Sequence, residues 1–205
     1  MGPRSLYPIL DAEMAAALGH DLVACAKGFA ALGIRTQQLR AKTIAGGAFL
    51  RLADALQAVV PELIINDRAD VALLSGAAGV HVGQTDIPIA AARAIGCRLI
   101  GVSTHNLEQV RTAMEAKPDY LAVGPVFSTA SKARPDPVVG IRFIEQARKL
   151  WIGPLVAIGG IGPGTCAAVW AAGADAVAVI SALWDAADPV GAAEQFLAAA
   201  QKTRD

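Results

Sequence analysis

Glu62-Leu63-Ile64-Ile65-Asn66-Asp67-Arg68-Ala69-Asp70-Val71-Ala72-Leu73-Leu74-Ser75-Gly76-Ala77-Ala78-Gly79-Val80-His81-Val82-Gly83-Gln84-Thr85-Asp86 holds one complete strand–helix–strand unit. Short apolar runs at residues 62–66 and 79–82 flank an Ala-rich helical stretch, and each run ends in polar residues. Asn66-Asp67-Arg68 follows the first, and Gly83-Gln84-Thr85-Asp86 follows the second. Both carboxylates therefore fall at the same ends of neighbouring parallel strands. Such strands lie about 4.8 Å apart, so Asp67 and Asp86 can share one hard cation without a dedicated loop. Each Asp also precedes a helical segment, and capping its first turn is the competing role.

Outward from this unit the same alternation runs through the whole chain. Candidate strands fall at residues 6–10, 34–39, 62–66, 79–82, 98–102, 119–123, 154–158 and 175–180. Several are apolar nearly throughout, as in Leu155-Val156-Ala157-Ile158 and Ala176-Val177-Ala178-Val179-Ile180, which is expected of a parallel sheet covered on both faces. An open sheet flanked by helices gives the same pattern, but eight uninterrupted units favour a closed (β/α)8 TIM barrel, a single compact domain over residues 1–205. Glycines just before strands, Gly33, Gly79, Gly96, Gly153 and Gly173, read as helix stops.

Composition narrows the function. The 18 basic and 18 acidic side chains balance without a block of one sign, which argues against nucleic acid and for small charged metabolites. Cys25, Cys97 and Cys166 have neither metal-ligand nor redox spacing and read as reduced packing residues. No apolar run is long enough to span a bilayer, and Met1-Gly2-Pro3-Arg4-Ser5 turns polar too quickly for a signal peptide, so a cytoplasmic protein with no membrane partner is expected.

In a barrel of this kind the residues after each strand gather on the face that carries the active site. Gln38-Leu39-Arg40-Ala41-Lys42 alternates so that Gln38, Arg40 and Lys42 point one way. Two cations suit a polyphosphate and the amide suits a heterocycle, although a solvated strand end would look the same. Gly159-Gly160-Ile161-Gly162-Pro163-Gly164 after the seventh strand and Ile180-Ser181 after the eighth supply the pieces of a phosphate cradle, with a tight turn as the plain alternative. Ser103 can donate to phosphate or cap locally. His20 lies in a helical stretch, His81 is flanked by apolar strand residues, and His105 is open between substrate contact and packing; none has zinc spacing. No Ser-His-Asp order suggests a nucleophilic triad. The long connection over residues 124–138 suits a lid.

These motifs, taken in order, resemble the thiamine-phosphate synthase family over nearly the whole chain. The landmarks are Leu6-Tyr7, Gln38-x-Arg40-x-Lys42, Asn66-Asp67, Gly79-Val80-His81-Val82-Gly83-Gln84-x-Asp86 and Gly101-Val102-Ser103. Gly124-Pro125-Val126-Phe127-x-Thr129-x-Ser131-Lys132, Gly159-Gly160-Ile161 and Val179-Ile180-Ser181 complete them. The resemblance implies a (β/α)8 transferase that joins a pyrimidine diphosphate to a thiazole phosphate and releases pyrophosphate. It implies Mg2+ on Asp67 and Asp86, with Arg40, Lys42, Asn66, Ser103 and Lys132 around the pyrophosphate and Gln38 on the pyrimidine. Arg40, Ser103 and Lys132 would be the catalytic set. Thr129, Ser131, Gly160, Ile180 and Ser181 would hold the thiazole phosphate. A homodimer is the expectation for assembly.

This chain departs from the family pattern at Ser128, where relatives often have Pro, at Ser131, where they often have Thr, and at Pro8 inside the first strand. A thiazole tautomerase of the same superfamily is the nearest rival, but Pro125 stands where tautomerases typically place a catalytic His. A silent phosphate-binding barrel would be free to lose a carboxylate or cation of the set, and every one is present. A phosphosugar barrel enzyme leaves the Asp67 and Asp86 pair without a purpose.

Overall fold

The computed structural model describes residues 4–129 and 137–202. Eight parallel strands close into a barrel in chain order: β1 Ser5–Asp11, β2 Thr36–Arg40, β3 Glu62–Asn66, β4 Gly79–Val82, β5 Leu99–Thr104, β6 Tyr120–Val123, β7 Leu155–Ile158 and β8 Ala176–Val179. Every expected strand is present. The second starts two residues late, because Ile34 belongs to the turn that follows a helix stop.

The helices among the described residues are short, which is how eight units fit into this chain. They are α1 Ala12–Ala17, α2 Leu22–Ala31, α3 Gly46–Gln57, α4 Ala69–Leu74, α5 Ile89–Ala94, α6 Leu107–Glu115, α7 Ile141–Leu150, α8 Cys166–Ala171, α9 Ser181–Trp184 and α10 Pro189–Lys202. None is long and apolar enough to cross a membrane.

Period-two alternation explains the nearly continuous apolar runs. One set of strand side chains, including Leu39, Leu63, Ile65, Val80, Leu121, Leu155 and Val177, packs outward against the helices. The other set, Tyr7, Ile9, Ile64, Tyr120, Ala122, Val156, Ala176 and Ala178, fills the lumen. Large and small residues alternate there. Tyr120 lies so close over Gly101 that a Cβ on Gly101 would sit 1.9 Å from the ring. Gly79 is also a packing glycine and not a helix stop: it lies inside β4, where a Cβ would meet the Leu99 carbonyl oxygen at 2.1 Å.

Pro8 finds its place at a handover. Residues 5–8 of β1 pair with β8, and residues 9–11 pair with β2. His20 is not helical, as the sequence suggested, but sits in the turn between α1 and α2, where its Nε2 is 3.0 Å from the Trp184 carbonyl oxygen. Cys97 and Cys166 are buried, Cys25 is half-buried, and all three are free.

Candidate active site

The strands end around one cavity of about 380 Å³. Gln38, Arg40, Lys42, Asn66, Asp67, Asp86, Ser103, Thr129, Gly160, Ile180 and Ser181 all line it. Ser131 and Lys132, with the rest of residues 130–136 of the expected lid, lie outside the described residues.

β3 and β4 are parallel neighbours with Asn66 opposite His81, so Asp67 and the Asp86 turn emerge side by side. Neither Asp caps a helix. The cap positions of α4 and α5 are Arg68 and Pro88, without a side-chain cap bond. Asp67 instead adopts a left-handed backbone, φ 62°, with its N–H donating to the His81 carbonyl oxygen at 2.8 Å. Asp tolerates that region better than most residues, and such a backbone is a local cost that tertiary contacts maintain. Asp86 closes its own turn by accepting the Gly83 N–H at 2.7 Å.

The carboxyl groups of Asp67 and Asp86 influence one another in the folded chain. Burial is the largest influence on Asp67 and raises its carboxyl above the ordinary value; Lys42 pulls it back down, and Asp86 pushes it up. Two oxygen-only ligands that resist carrying both charges suit a hard divalent cation. Among the described residues no cluster of three or more His, Cys, Asp or Glu converges to hold a metal. A cation here would complete its shell with water and substrate oxygens, which is how Mg2+ is usually held.

The cations at the end of β2 and just beyond it are already engaged. Arg40 pairs with Asp11 at the end of β1, and Lys42 pairs with Asp67. Arg40 and Lys42 give two positive charges against three carboxylates, Asp11, Asp67 and Asp86, so these described side chains alone hold no surplus of positive charge. A polyanion entering this side therefore meets no net positive charge from these side chains.

The opposite wall is made differently. Gly159 and Gly160 have φ of 103° and 64°, and added Cβ atoms would lie 2.5 Å from Pro125 and 2.4 Å from the Ser128 carbonyl oxygen. The glycines let the loop after β6 run against β7, where Val126 and Phe127 donate to the Ile158 and Gly159 carbonyl oxygens at 2.9 and 3.0 Å. Close backbone packing and exposure of backbone to the cavity are both met at this turn. Ile180, Ser181 and Ala182 extend the wall past β8.

A family model described as thiamine monophosphate synthase matches residues 6–183. The thiamine-phosphate synthase of Koribacter versatilis is 44% identical over 203 residues, covering 94% of this chain and 93% of its own. That of Chloroflexus aurantiacus is 40% identical and covers 98% and 94%. The solved structure of thiamine phosphate pyrophosphorylase from Pyrococcus furiosus superposes with a TM-score of 0.86 at 28% identity, over 98% of this chain and 97% of that one.

The chain belongs to the thiamine monophosphate synthase family.

Within that family assignment, several residues that hold this site together had escaped the sequence reading. Asp11 anchors Arg40 and also caps α1 through the Met14 N–H at 3.0 Å. Glu13 accepts the N–H groups of Lys42 and Thr43, each at 2.7 Å, tying α1 to the loop that carries Lys42. Burial opposes the Glu13 charge, but hydrogen bonds from Thr43 and Lys42 outweigh it and hold the carboxyl below its ordinary value. His81 lines the lumen and touches Ser103 Oγ at 2.9 Å. The rule applied to the other strand ends picks out Asp11, the last residue of β1; no comparable signal marks Glu13. His105 lines the cavity and is also tied to it, with Nδ1 2.6 Å from the Gly124 carbonyl oxygen, so packing and site placement coincide there.

Proposed function

We propose that this chain, a transferase by its family, is a thiamine-phosphate synthase that joins hydroxymethylpyrimidine diphosphate to hydroxyethylthiazole phosphate. The observation that carries the reading is one cavity with two unlike anion walls: charged side chains and paired carboxylates at β2 to β4, and a glycine-rich backbone turn with Ser181 at β7 and β8. A single-phosphate substrate would leave one wall without a partner.

In this reading the pyrimidine diphosphate lies with its heterocycle on Gln38 and its diphosphate toward Arg40, Lys42, Asn66 and Ser103; Lys132 would act with them. The C–O bond breaks with its electron pair leaving on pyrophosphate. Arg40, Lys42 and the Ser103 hydroxyl stabilise the departing charge by hydrogen bonds and ion pairing. The amino group of the pyrimidine spreads the positive charge left on the methylene carbon. Thr129, Ser131, Gly160, Ile180 and Ser181 hold the thiazole by its phosphate, so that the ring nitrogen faces that carbon and forms the new C–N bond. Apolar side chains in the lining, Ile9, Val156, Ile158 and Val179, keep water from capturing the carbon first. Mg2+, held by Asp67 and Asp86, would supply charge neutralisation for the diphosphate. No protein nucleophile is needed, in keeping with the absence of a triad order in the sequence. We place the reaction in the cytoplasm.

The test is to supply the purified chain with both substrates and Mg2+ and to quantify thiamine phosphate. Its formation is expected. Interconversion of thiazole phosphate isomers without thiamine phosphate would support a tautomerase instead. Ligand binding without any turnover would support a silent barrel.

A further inference from the structure

A line of hydrogen bonds crosses the barrel lumen beneath the cavity. Gln38 Nε2 donates to Tyr7 Oη at 3.0 Å, Tyr7 Oη lies 3.0 Å from Tyr120 Oη, Tyr120 Oη lies 2.9 Å from His81 Nδ1, and His81 Nε2 lies 2.9 Å from Ser103 Oγ. The line runs from β2 through β1, β6 and β4 to β5. It joins the amide assigned to the pyrimidine with the hydroxyl assigned to the pyrophosphate.

Each hydroxyl has one proton to give, so the line has a direction. With Gln38 donating to Tyr7, the Tyr7 proton is left for Tyr120 and the Tyr120 proton for His81 Nδ1. The neutral imidazole then carries its proton on Nε2 and donates to Ser103 Oγ. Ser103 keeps its own proton for the cavity, and Gln38 keeps its carbonyl oxygen. Reversing the line turns the Gln38 amide over and spends the Ser103 proton on His81. An anion beside Ser103 needs a donor, and an amino group on a heterocycle beside Gln38 needs an acceptor. Both demands select the same direction.

We infer that Tyr7, Tyr120 and His81 are positioning residues that form a directional relay, holding Ser103 as a donor to the leaving pyrophosphate and Gln38 as an acceptor for the pyrimidine amino group. The inference rests on the functional reading above. Packing supports it independently, because the Tyr7 and Tyr120 rings meet edge to face with centroids 6.1 Å apart, and His81 stacks on Tyr120 at 5.4 Å. Burial, the largest influence on both phenols, raises them well above the ordinary value, so the relay carries hydroxyls and not phenolates.

The experiment is a double-mutant cycle of Tyr120→Phe with Ser103→Ala, read as kcat/KM for the pyrimidine diphosphate, together with 15N NMR of His81. Tyr120→Phe keeps the ring and removes one link. In the wild-type background it should lower kcat/KM roughly 10- to 100-fold, the loss expected when a hydrogen bond to a charged group is misdirected. In the Ser103→Ala background the loss should be clearly smaller, since the part of the effect that passes through Ser103 is already gone and only the part through Gln38 is left. A packing role gives the same loss in both backgrounds and overturns the relay. Tyr7→Phe, which breaks the next link, serves if Tyr120→Phe does not fold. The wild type with Mg2+ and inorganic pyrophosphate should show His81 protonated at Nε2; protonation at Nδ1 overturns the relay without touching the functional reading. If the wild type neither binds pyrophosphate nor makes thiamine phosphate, the functional reading fails, and the His81 tautomer of the free chain still decides the relay.

Discussion

At the ends of β2, β3 and β4 the cavity wall is built from charged side chains that already hold one another, Arg40 with Asp11 and Lys42 with Asp67. At the ends of β7 and β8 it is built from backbone, with Gly159 and Gly160 pressed against the loop after β6 and Ser181 beyond them. The side chains of the first wall can exchange ion-pair partners with an incoming anion, whereas the second wall is fixed by the packing of the chain. A diphosphate that must leave suits the first wall, and a phosphate that serves only as a handle suits the second.

The sharpest way to break this contrast is to remove a carboxylate. Asp67→Ala or Asp86→Ala should lower Mg2+-dependent turnover by about 10²- to 10³-fold, the scale of losing one electrostatic stabiliser. The fold should persist by circular dichroism, because neither carboxylate caps a helix. Turnover unchanged in both would remove the metal assignment.

The two walls were not equally legible in the sequence. The period-two runs and the residues that follow them gave the barrel, and the side chains of both walls with it, because a parallel strand fixes where its last residues point. Gly160 could be read directly, since a glycine pair between a strand and a helix has few purposes. The pairings of the charged wall were hidden, even though the strand-end rule marks Asp11: Asp11 and Glu13 reach Arg40 and the Lys42 loop from 29 residues away in the chain, contacts that the pairing of β1 with β2 creates. Gly79 was misread for a related reason, as its constraint comes from the carbonyl oxygen of Leu99 on the next strand.

Gly160→Ala probes the other wall. Its positive φ and the nearby Ser128 carbonyl oxygen leave no room for a methyl group, so about 1 to 3 kcal/mol of stability should be lost. The KM for thiazole phosphate should rise more than that for the pyrimidine diphosphate; equal rises would show that the two walls are not separate. Chemical denaturation and steady-state kinetics check both parts.

Asp11→Asn sharpens the charged wall more gently. Asn still caps α1, so the change isolates the Arg40 ion pair. A loss of about 1 to 2 kcal/mol in urea unfolding is expected, with a several-fold rise in KM for the pyrimidine diphosphate alone.

The smallest effect is a pH dependence. The Asp67 carboxyl is raised in the folded chain, so its contribution to stability is full below its unfolded pKa and is lost as pH rises through the folded one. Without metal, ionised Asp67 beside Asp86 therefore costs stability at neutral pH. Mg2+ should raise Tm by a few degrees at neutral pH and by less on acidification, as Asp67 regains its proton and the cation must compete with it. A Tm shift independent of pH across this range would place the cation elsewhere.

The most direct measurement is the ratio of pyrophosphate released to thiamine phosphate formed, with Mg2+ and each substrate omitted in turn. Equal amounts from the complete mixture, and neither product from any incomplete one, are predicted if both walls serve a single reaction. Pyrophosphate without thiamine phosphate, or no product from a folded chain, would contradict it.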